Sequence, residues 1–452
     1  MNFLERAIED YHEILRKHEA DVVQWYPVFV QELLQRKLTY GGRIMTPYLR
    51  PQFVTNSQVQ MLAAMCSILR RALTKAKEAI MEAPDLMEEL GLTSGERSLV
   101  DIDPHMDSVG VTARLDSFLY HDSVRFVELN CEVPAGPAYC DKTNALFLEY
   151  PPMREFMKKY KVHSFSVTQR LADALLQAWR NFGGVGIPTV CVTDWKEVAT
   201  RTEFDLICDI FNARGVPMFF ADPRELEFDG KSLSHKGRHI DLIYRRVLTN
   251  EFLAKLSDVQ PMLKAYTAHK VCVVNSFRAK LLHKKIIFSI LHDPRVDKRY
   301  TEEERGVVKA CIPWTATVAE GKVMQDGKQI DLIPWVLKNK DDLVIKPNDD
   351  YGGRGVVLGK QVDDSAWEQT VKLAIADPSV VQEIIPIPDG IFPEVDHGRI
   401  VFNRAYIDLD PYLFYGDLGG ILTRLSISQK CNVTAGGGMV PTFIIDDSQA
   451  IS

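Results

Sequence analysis

The chain has 452 residues, of which 25% are charged and 46% hydrophobic, and its formal net charge is −7. This composition predicts a soluble globular protein of roughly three domains and, in the absence of a lysine- or arginine-rich block, argues against nucleic acid as a partner. With no apolar run of roughly 18 residues, no signal-peptide pattern at the start and eight scattered cysteines, we expect a cytoplasmic protein with free thiols and no membrane partner.

The N-terminal part is helical in pattern. Apolar residues recur at helical spacing near the start, at Phe3, Leu4, Ala7, Ile8, Tyr11, Ile14 and Leu15. Thr55 suits the N-cap of a longer helix that continues through residues 58–83. We therefore predict that residues 1–98 form a helical N-terminal region packed on the core.

From about residue 99 the pattern changes to strands. Val124–Leu129 is rich in β-branched and aromatic residues, so Glu128 and Asn130 point to the same side of a strand. A carboxylate and an amide oxygen side by side suit Mg²⁺ that also holds phosphates. Asp116, on a preceding strand, can add an oxygen, and Arg114, one alternation away, can contact an anion.

Residues 165–250 alternate between helix and strand patterns. Helices are predicted at 167–182 and 195–215, and strands at 187–194, 216–222 and 240–247. Such alternation indicates a mainly parallel sheet, whose strands bind ligands at their carboxyl ends. Arg245 and Arg246 end the last strand and point to opposite faces, so at most one of them faces a cleft. The alternative is that both are solvated or paired with acids.

A second group of residues follows a helix predicted at 280–291 and an exposed, charged turn at 293–304. The apolar strand Leu343–Ile345 ends in Lys346, and the glycine-rich stretch Tyr351–Gly355 comes soon after. A strand-end lysine can reach phosphate oxygens, and glycines let backbone N–H groups approach an anion. A simple hairpin turn with an exposed lysine is the alternative.

Strand patterns continue at residues 380–386 and 399–410. The backbone of the first could receive an adenine edge, with Ile345 and Ile385 as apolar walls. An ordinary core strand is the alternative interpretation of this segment.

Taken together, these segments resemble the ATP-grasp fold. Lys284-Lys285, Lys346 with its glycine loop and Gln382–Ile385 are similar to its nucleotide half, and the Arg-x-Asp, Glu-x-Asn and Pro-x-Gly motifs over 114–136 are similar to its magnesium end, as in D-alanine–D-alanine ligase. In most members the metal end follows the lysines, whereas here it precedes Lys346 by more than two hundred residues. That order resembles the circularly permuted members, eukaryotic-type glutathione synthetase and the synthetase domain of glutathionylspermidine synthase.

The resemblance implies roles for individual residues. The implied magnesium ligands are Asp116, Glu128, Asn130 and Asp350, and the implied ATP-binding residues are Lys284 or Lys285, Lys346, Gly352, Gly353, Gly355, Gln382, Glu383 and Ile385. Arg114 resembles the arginine that neutralises the transferred phosphate or a substrate carboxylate. Arg424, in a segment followed by the glycines 436–438, resembles the substrate-proximal arginine of glutathione synthetase.

The chain also departs from those families near the substrate. Ser426 replaces a lysine two places after the arginine, and Ala135 stands where a serine contacts glutathione. These departures leave the nucleotide chemistry intact and the substrates open. We expect Arg424 to lie near Arg114 and to recognise a substrate carboxylate, with Arg246 as a second, weaker contact.

The resemblance implies a mixed α/β, circularly permuted ATP-grasp fold. Its metal-binding part is expected at 99–160, an α/β substrate-binding domain at 161–265 and the nucleotide-binding part at 266–452. The implied activity is that of an ATP-dependent carboxylate–amine ligase that uses Mg²⁺, two ions being expected, and an acyl phosphate intermediate. Its substrates would be small molecules such as amino acids, short peptides or polyamines.

Two alternatives remain open at this point: a non-catalytic nucleotide-binding regulatory protein and a phosphotransferase. The sequence also leaves the oligomeric state open. If the ligase interpretation holds, Asp116, Glu128, Asn130 and Asp350 must converge on one cleft with Lys346, although the two groups are far apart in sequence.

Overall fold

The computed structural model describes residues 2–106, 110–349, 353–427 and 437–448, which combine helices with several sheets. The helices in these ranges are α1 (Phe3–Lys17), α2 (Glu19–Gln35), α3 (Asn56–Glu82), α4 (Pro84–Glu89), α5 (Ser94–Val100), α6 (Pro137–Glu149), α7 (Pro151–Phe156), α8 (Val167–Asn181), α9 (Arg201–Ala213), α10 (Thr249–Ala254), α11 (Gln260–Thr267), α12 (Lys280–His283), α13 (Ile287–Ile290), α14 (Pro294–Asp297), α15 (Glu302–Cys311), α16 (Leu332–Lys338) and α17 (Asp364–Ala376).

The strands follow the same chain-order numbering. They are β1 (Thr39–Tyr40), β2 (Arg43–Ile44), β3 (Gln52–Thr55), β4 (Thr112–Leu119), β5 (Val124–Asn130), β6 (Val162–His163), β7 (Val190–Thr193), β8 (Met218–Ala221), β9 (Glu227–Phe228), β10 (Leu233–His235), β11 (Arg238–Ile240), β12 (Leu242–Arg245), β13 (Cys272–Val274), β14 (Thr315–Thr317), β15 (Lys322–Gln325), β16 (Lys328–Asp331), β17 (Leu343–Pro347), β18 (Val357–Leu358), β19 (Ser379–Glu383), β20 (Asp389–Asp396), β21 (Arg399–Phe414), β22 (Asp417–Ser426), β23 (Gly438–Val440) and β24 (Thr442–Ile445).

The N-terminal region is mainly helical, and a capping residue marks the start of its longest helix, α3. The Thr55 hydroxyl accepts the Gln58 N–H at 3.2 Å while the Gln58 side chain accepts the Thr55 N–H at 3.1 Å, a capping box that starts α3 as the sequence predicts. The region also holds β1, β2 and β3, and β3 pairs in parallel with β24 from the other end of the chain. The N-terminal residues are thereby built into the same sheet as the C-terminal ones.

The largest sheet is antiparallel and carries the predicted metal residues. Its strands run in the order β23-β22-β21-β4-β5, with β20 paired to the far part of β21. In this register Asp116 lies opposite Glu128 and Arg114 opposite Asn130. Because opposed residues share a face, these four side chains project from one side of the sheet.

A second sheet is parallel throughout, as the alternating pattern predicts. Its order is β13-β12-β7-β8, and helices α8 and α9 contribute apolar side chains to the core beside it. The predicted helix over 195–215 begins only at Arg201. Asp194 accepts the Trp195 N–H at 2.8 Å and Asp222 accepts the Lys196 N–H at 3.1 Å, which holds the intervening segment as a loop.

The third sheet is small and antiparallel, in the order β14-β19-β17-β18, with α16 and α17 packed through Trp367 and Val336. The predicted helix over 280–291 is broken in two, because Lys284 is extended (ψ 133°). Asn348 takes up the backbone N–H groups released by the break: its carbonyl accepts from Lys285 and its side chain from Ile286, each at 3.0 Å.

Two further expectations can be compared with the described residues. The predicted exposed turn at 293–304 is wrong, since it contains α14 and the start of α15 and buries Val296 and Tyr300. The seven cysteines in the described ranges are free thiols. Among the helices there, none is long and apolar enough to cross a membrane.

Candidate active site

A cleft of about 710 Å³ is lined by residues of both antiparallel sheets and by residues that follow the strands of the parallel sheet. The predicted site residues that line it are Arg114, Asp116, Glu128, Asn130, Ala135, Arg246, Lys346, Gly353, Gln382, Glu383, Ile385 and Arg424. Lys284, Lys285 and Gly355 are not part of this lining, and Asp350 and Gly352 lie outside the described residues. The structure therefore brings Asp116, Glu128 and Asn130 into one cleft with Lys346, although their roles there stay predictions.

A row of polar side chains crosses four strands of the antiparallel sheet, and all of them except the buried Asp410 form the floor of the cleft. The row runs from Arg424 on β22, through Asp408 and Asp410 on β21 and Arg114 and Asp116 on β4, to Glu128 and Asn130 on β5. Asp408 lies opposite Arg424 in the register. Only the pairing of strands from distant parts of the chain creates this row.

Asp116 is the centre of the row. Its carboxylate accepts from Arg114 at 2.9 and 3.2 Å, from Arg424 at 2.7 Å and from the Asn130 amide at 3.0 Å. Burial opposes its ionisation, but Arg114 and Arg424 outweigh that effect and hold the pKa of Asp116 well below its usual range. Asp116 is therefore a permanent anion between two guanidinium groups.

Arg424 lies near Arg114, as expected, but acids already engage it. Besides Asp116 it contacts Asp408, and its Nε lies 2.9 Å from Asp410. Burial raises the pKa of Asp410 well above its usual value, which favours a protonated carboxyl. The sequence analysis did not single out Asp408 and Asp410, although their spacing of two on a strand could have shown that they share a face.

The oxygen atoms near Glu128 suit a hard divalent cation. The Asn130 amide nitrogen donates to Asp116, so its carbonyl oxygen is not used in that bond, and Glu128 lies two residues away on the same face of β5. Asp408 lines the same cleft, and its Oδ1 is buried without a hydrogen-bond partner among the described residues. Carboxylate and amide oxygens are ligands of Mg²⁺, so the residues present fit that ion, whereas the Asp116 oxygens are engaged by arginines.

Lys346 enters the cleft from β17, facing the floor. Its ammonium donates to the Gln382 side chain at 2.7 Å and to the Val127 carbonyl at 3.1 Å. Burial, opposed in part by Glu128, lowers the pKa of Lys346 to about 8. Beyond it, Gly353 and Gly355 have positive φ values of 75° and 66°, which glycine adopts without strain. Lys346 is thus a partly buried cation held by two uncharged acceptors.

Lys284 and Lys285 point in different directions because the chain is extended at the first of them. The Lys284 ammonium lies 2.9 Å from Glu96 and 3.0 Å from Asp349, away from the cleft. The Lys285 ammonium lies 3.3 Å from Glu128. Of the two lysines, Lys285 is therefore the one placed beside the floor.

A buried ionic network that the sequence analysis missed joins the two halves of the site. Glu132, two residues after Asn130, is fully buried and lies 3.0 Å from the Lys280 ammonium and 3.1 Å from Arg245. Lys280 also contacts Asp349, in the loop that follows Lys346. Burial disfavours a charged Glu132, yet Lys280, His283 and Arg245 together hold its pKa well below the usual range. No local sequence pattern indicates this network.

The two arginines at the end of β12 have separate environments. Arg245 is fully buried against Glu132, whereas Arg246 lines the cleft, 3.8 Å from the buried Glu203. At most one of them faces the cleft, as strand alternation predicts, and both have acidic partners. The Pro-x-Gly motif lies in the same wall, since Glu203 accepts the Gly136 N–H at 2.7 Å.

With this architecture the chain has a mixed α/β fold that it shares with a glutathione synthetase-like protein. The apo structure of a glutathione synthetase-like effector from Globodera pallida covers 94% of this chain and 97% of its own, with a TM-score of 0.58 at 12% identity. At that identity the likeness shows the fold alone. No protein-family model matches the chain.

Two sequence relatives are 25% and 29% identical to the chain over the matched residues, and both are much longer than the chain. A protein of Frankia casuarinae provisionally named glutamate–cysteine ligase 2-2 is 25% identical over 337 residues, 70% of this chain and 36% of that protein. One of Frankia alni, provisionally named glutamate–cysteine ligase 2-3, is 29% identical over 221 residues, 46% of this chain and 24% of that protein. The matched part of the chain therefore spans about a third of the length of the first relative and about a quarter of the second.

Proposed function

We propose that this protein is an ATP- and Mg²⁺-dependent carboxylate–amine ligase with a circularly permuted ATP-grasp site. The observation that carries the proposal is that Glu128 and Asn130 share one cleft with Lys346, although more than two hundred residues separate them in sequence. A hard-oxygen pair facing a strand-end lysine suits a metal-bound nucleotide. The names of the two Frankia relatives agree with amide-bond formation.

The proposed nucleotide end is the part of the cleft around β17 and β19. Lys346 would contact phosphate oxygens, with Lys285 as the second lysine and Gly353 in the loop above them. Glu383 and Ile385, at the exit of β19, line the same end and offer backbone and apolar surface to a base. This arrangement accounts for an apolar strand that ends in a partly buried cation.

Phosphoryl transfer to a carboxylate needs positive charge where the negative charge develops. Arg114 on β4 and Lys346 on β17 both line the cleft and would supply it, and Arg424 holds Asp116 so that Arg114 keeps its position. Mg²⁺, when bound by Glu128, Asn130 and the predicted Asp350, would neutralise phosphate charge. Transfer of the γ-phosphoryl group from ATP to the substrate carboxylate would give ADP and an acyl phosphate. An amine would then attack the acyl carbon and displace inorganic phosphate, giving the amide and releasing a proton.

The direct experiment is a screen for ADP release. Purified protein with ATP and Mg²⁺ is given pools of amino acids, short peptides and polyamines, and any active pool is analysed by mass spectrometry. We expect ADP release that depends on both an acid and an amine, with an amide product. A phosphorylated product would instead indicate a phosphotransferase, and ATP binding without turnover in every pool would indicate a regulatory nucleotide-binding protein.

The lowered pKa of Lys346 gives the proposal a pH dependence. The free protein loses this cation as the pH rises through about 8, and ATP phosphates favour the protonated form. The dissociation constant of ATP should therefore increase about tenfold between pH 7 and pH 9, measured by calorimetry at constant ionic strength. Lys346→Arg, whose guanidinium stays charged in this range, should flatten the profile. A wild-type profile without this rise would contradict the assignment.

A further inference from the structure

The wall of the cleft that faces away from β17 carries an acid next to Arg246. Thr193 on β7 pairs with Arg245 on β12, so Asp194 and Arg246, one residue further, stand level at the carboxyl ends of neighbouring parallel strands. The Arg246 N–H donates to the Thr193 carbonyl at 2.9 Å, which extends the pairing to this point. Both side chains line the cleft while only 5% of each residue is exposed.

Both side chains have partners within the protein, and each can still bind a ligand group of opposite charge. Arg246 has Glu203 3.8 Å away and the Tyr244 hydroxyl at 3.4 Å, and its Nε has no hydrogen-bond partner in the part of the chain that the structure describes. Asp194 accepts the Trp195 N–H at 2.8 Å, and the Trp195 indole in turn donates to Glu251, a second acid in the lining.

The neighbouring Arg246 does not offset the cost of burying the ionised Asp194 carboxylate. Burial raises the pKa of this carboxyl to about 7, Arg246 opposes the rise, and Glu251 and Asp222 add to it. A buried carboxylate in this condition is stabilised by any positive group that enters the cleft. A guanidinium and a carboxylate on level positions of adjacent strands, about 5 Å apart, offer opposite charges to one small ligand.

We propose that Asp194 binds the ammonium group of an α-amino acid substrate whose carboxylate rests on Arg246. The proposal rests on the proposed ligase function and assigns one of its substrates a zwitterionic head group. An α-amino acid carries its two charges on one carbon, so its carboxylate can meet Arg246 while its ammonium meets Asp194. Apolar residues beside the pair, Val198, Ala199 and Leu248, leave the side chain of the substrate an uncharged surface.

The test compares ligands that differ only in the ammonium group. Each L-amino acid is screened by thermal shift with ATP and Mg²⁺ present, and the strongest one is titrated by calorimetry beside its α-hydroxy acid, which keeps the carboxylate and the side chain. We expect the wild-type protein to bind the amino acid at least tenfold more tightly than the hydroxy acid. Asp194→Asn should lose at least tenfold in amino acid affinity and keep hydroxy acid and ATP affinities within twofold.

A matched control is Glu197→Gln, an acid three residues away whose side chain is 70% exposed and pairs with Arg224; its affinities should equal those of the wild-type protein. Equal amino acid binding by wild type and Asp194→Asn overturns the proposal, as does a wild-type protein that binds ATP but no amino acid. Should Asp194→Asn fail to fold, the wild-type preference for the amino acid over its hydroxy acid decides the question. Absence of ATP binding by the wild-type protein would instead refute the proposed function itself.

Discussion

Replacing Lys346 with alanine should weaken ATP binding by about 1.5–3 kcal/mol, the usual contribution of a charge-assisted contact. The dissociation constant should accordingly increase roughly ten- to a hundredfold. The effect is expected to be large because the ammonium lines the cleft in a partly buried position and its hydrogen-bond partners, the Gln382 side chain and the Val127 carbonyl, are both uncharged. Calorimetric titration with ATP and Mg²⁺ measures it directly.

The matched control is Lys372→Ala, which removes an exposed lysine on α17, in the same part of the chain but outside the cleft lining. Its ATP affinity should be that of the wild-type protein. The circular dichroism spectra and melting temperatures of both variants establish that they are folded. Unchanged ATP affinity in folded Lys346→Ala would contradict the nucleotide site.

The second large effect is expected at Glu132, which no substrate needs to touch. Glu132→Gln preserves the shape of the side chain but removes the charge that compensates Lys280 and Arg245, both of which are almost completely buried. The change leaves the buried Arg245 without its acidic partner and Lys280 with only Asp349 and Glu96, and breaking a buried ion pair in this way costs about 3–5 kcal/mol. The free energy of unfolding in urea should fall by that amount, and Lys280→Met should produce a similar loss.

The control for this prediction is Glu149→Gln, which breaks the surface pair with Arg36 and should change stability by less than about 1 kcal/mol. The pH dependence has a definite sign. Because the folded-state pKa of Glu132 lies well below its usual range, its contribution is complete above the unfolded pKa of about 4.3 and is lost as the pH falls below that value. The difference between wild type and Glu132→Gln should therefore shrink in acid. A variant as stable as wild type at pH 7 would refute the network.

The network also explains why the two halves of the cleft keep their geometry. Glu132 follows Glu128 and Asn130 closely in sequence, and Asp349 follows Lys346. The Lys280 ammonium contacts both of these acids and so links the two segments. We expect Glu132→Gln to weaken ATP binding as well as stability, although it touches no proposed ligand. Loss of stability alone, with ATP affinity intact, would limit Glu132 to a structural role.

Local sequence determined much of this protein. The capping box at Thr55, the alternation that places Glu128 and Asn130 on one face, the parallel sheet and the strand that ends in Lys346 all depend on residues a few positions apart. Propensity and periodicity act over the same short range. The two half-sites can act only together, so their positions in the sequence also predicted that they meet in the fold. The strand register that brings them together was not predicted.

Tertiary structure decided the rest. The pairing of β21 with β4 and β22 surrounds Asp116 with two arginines and places Asp408 in the cleft, and this register joins residues about three hundred positions apart. The break at Lys284 exists because Asn348 accepts the backbone N–H groups of the next turn, which sends Lys284 and Lys285 in different directions. Desolvation and neighbouring charges then set the pKa values of Glu132, Asp194 and Lys346. Desolvation and long-range register arise only when distant segments pack together, so no local pattern could have shown them.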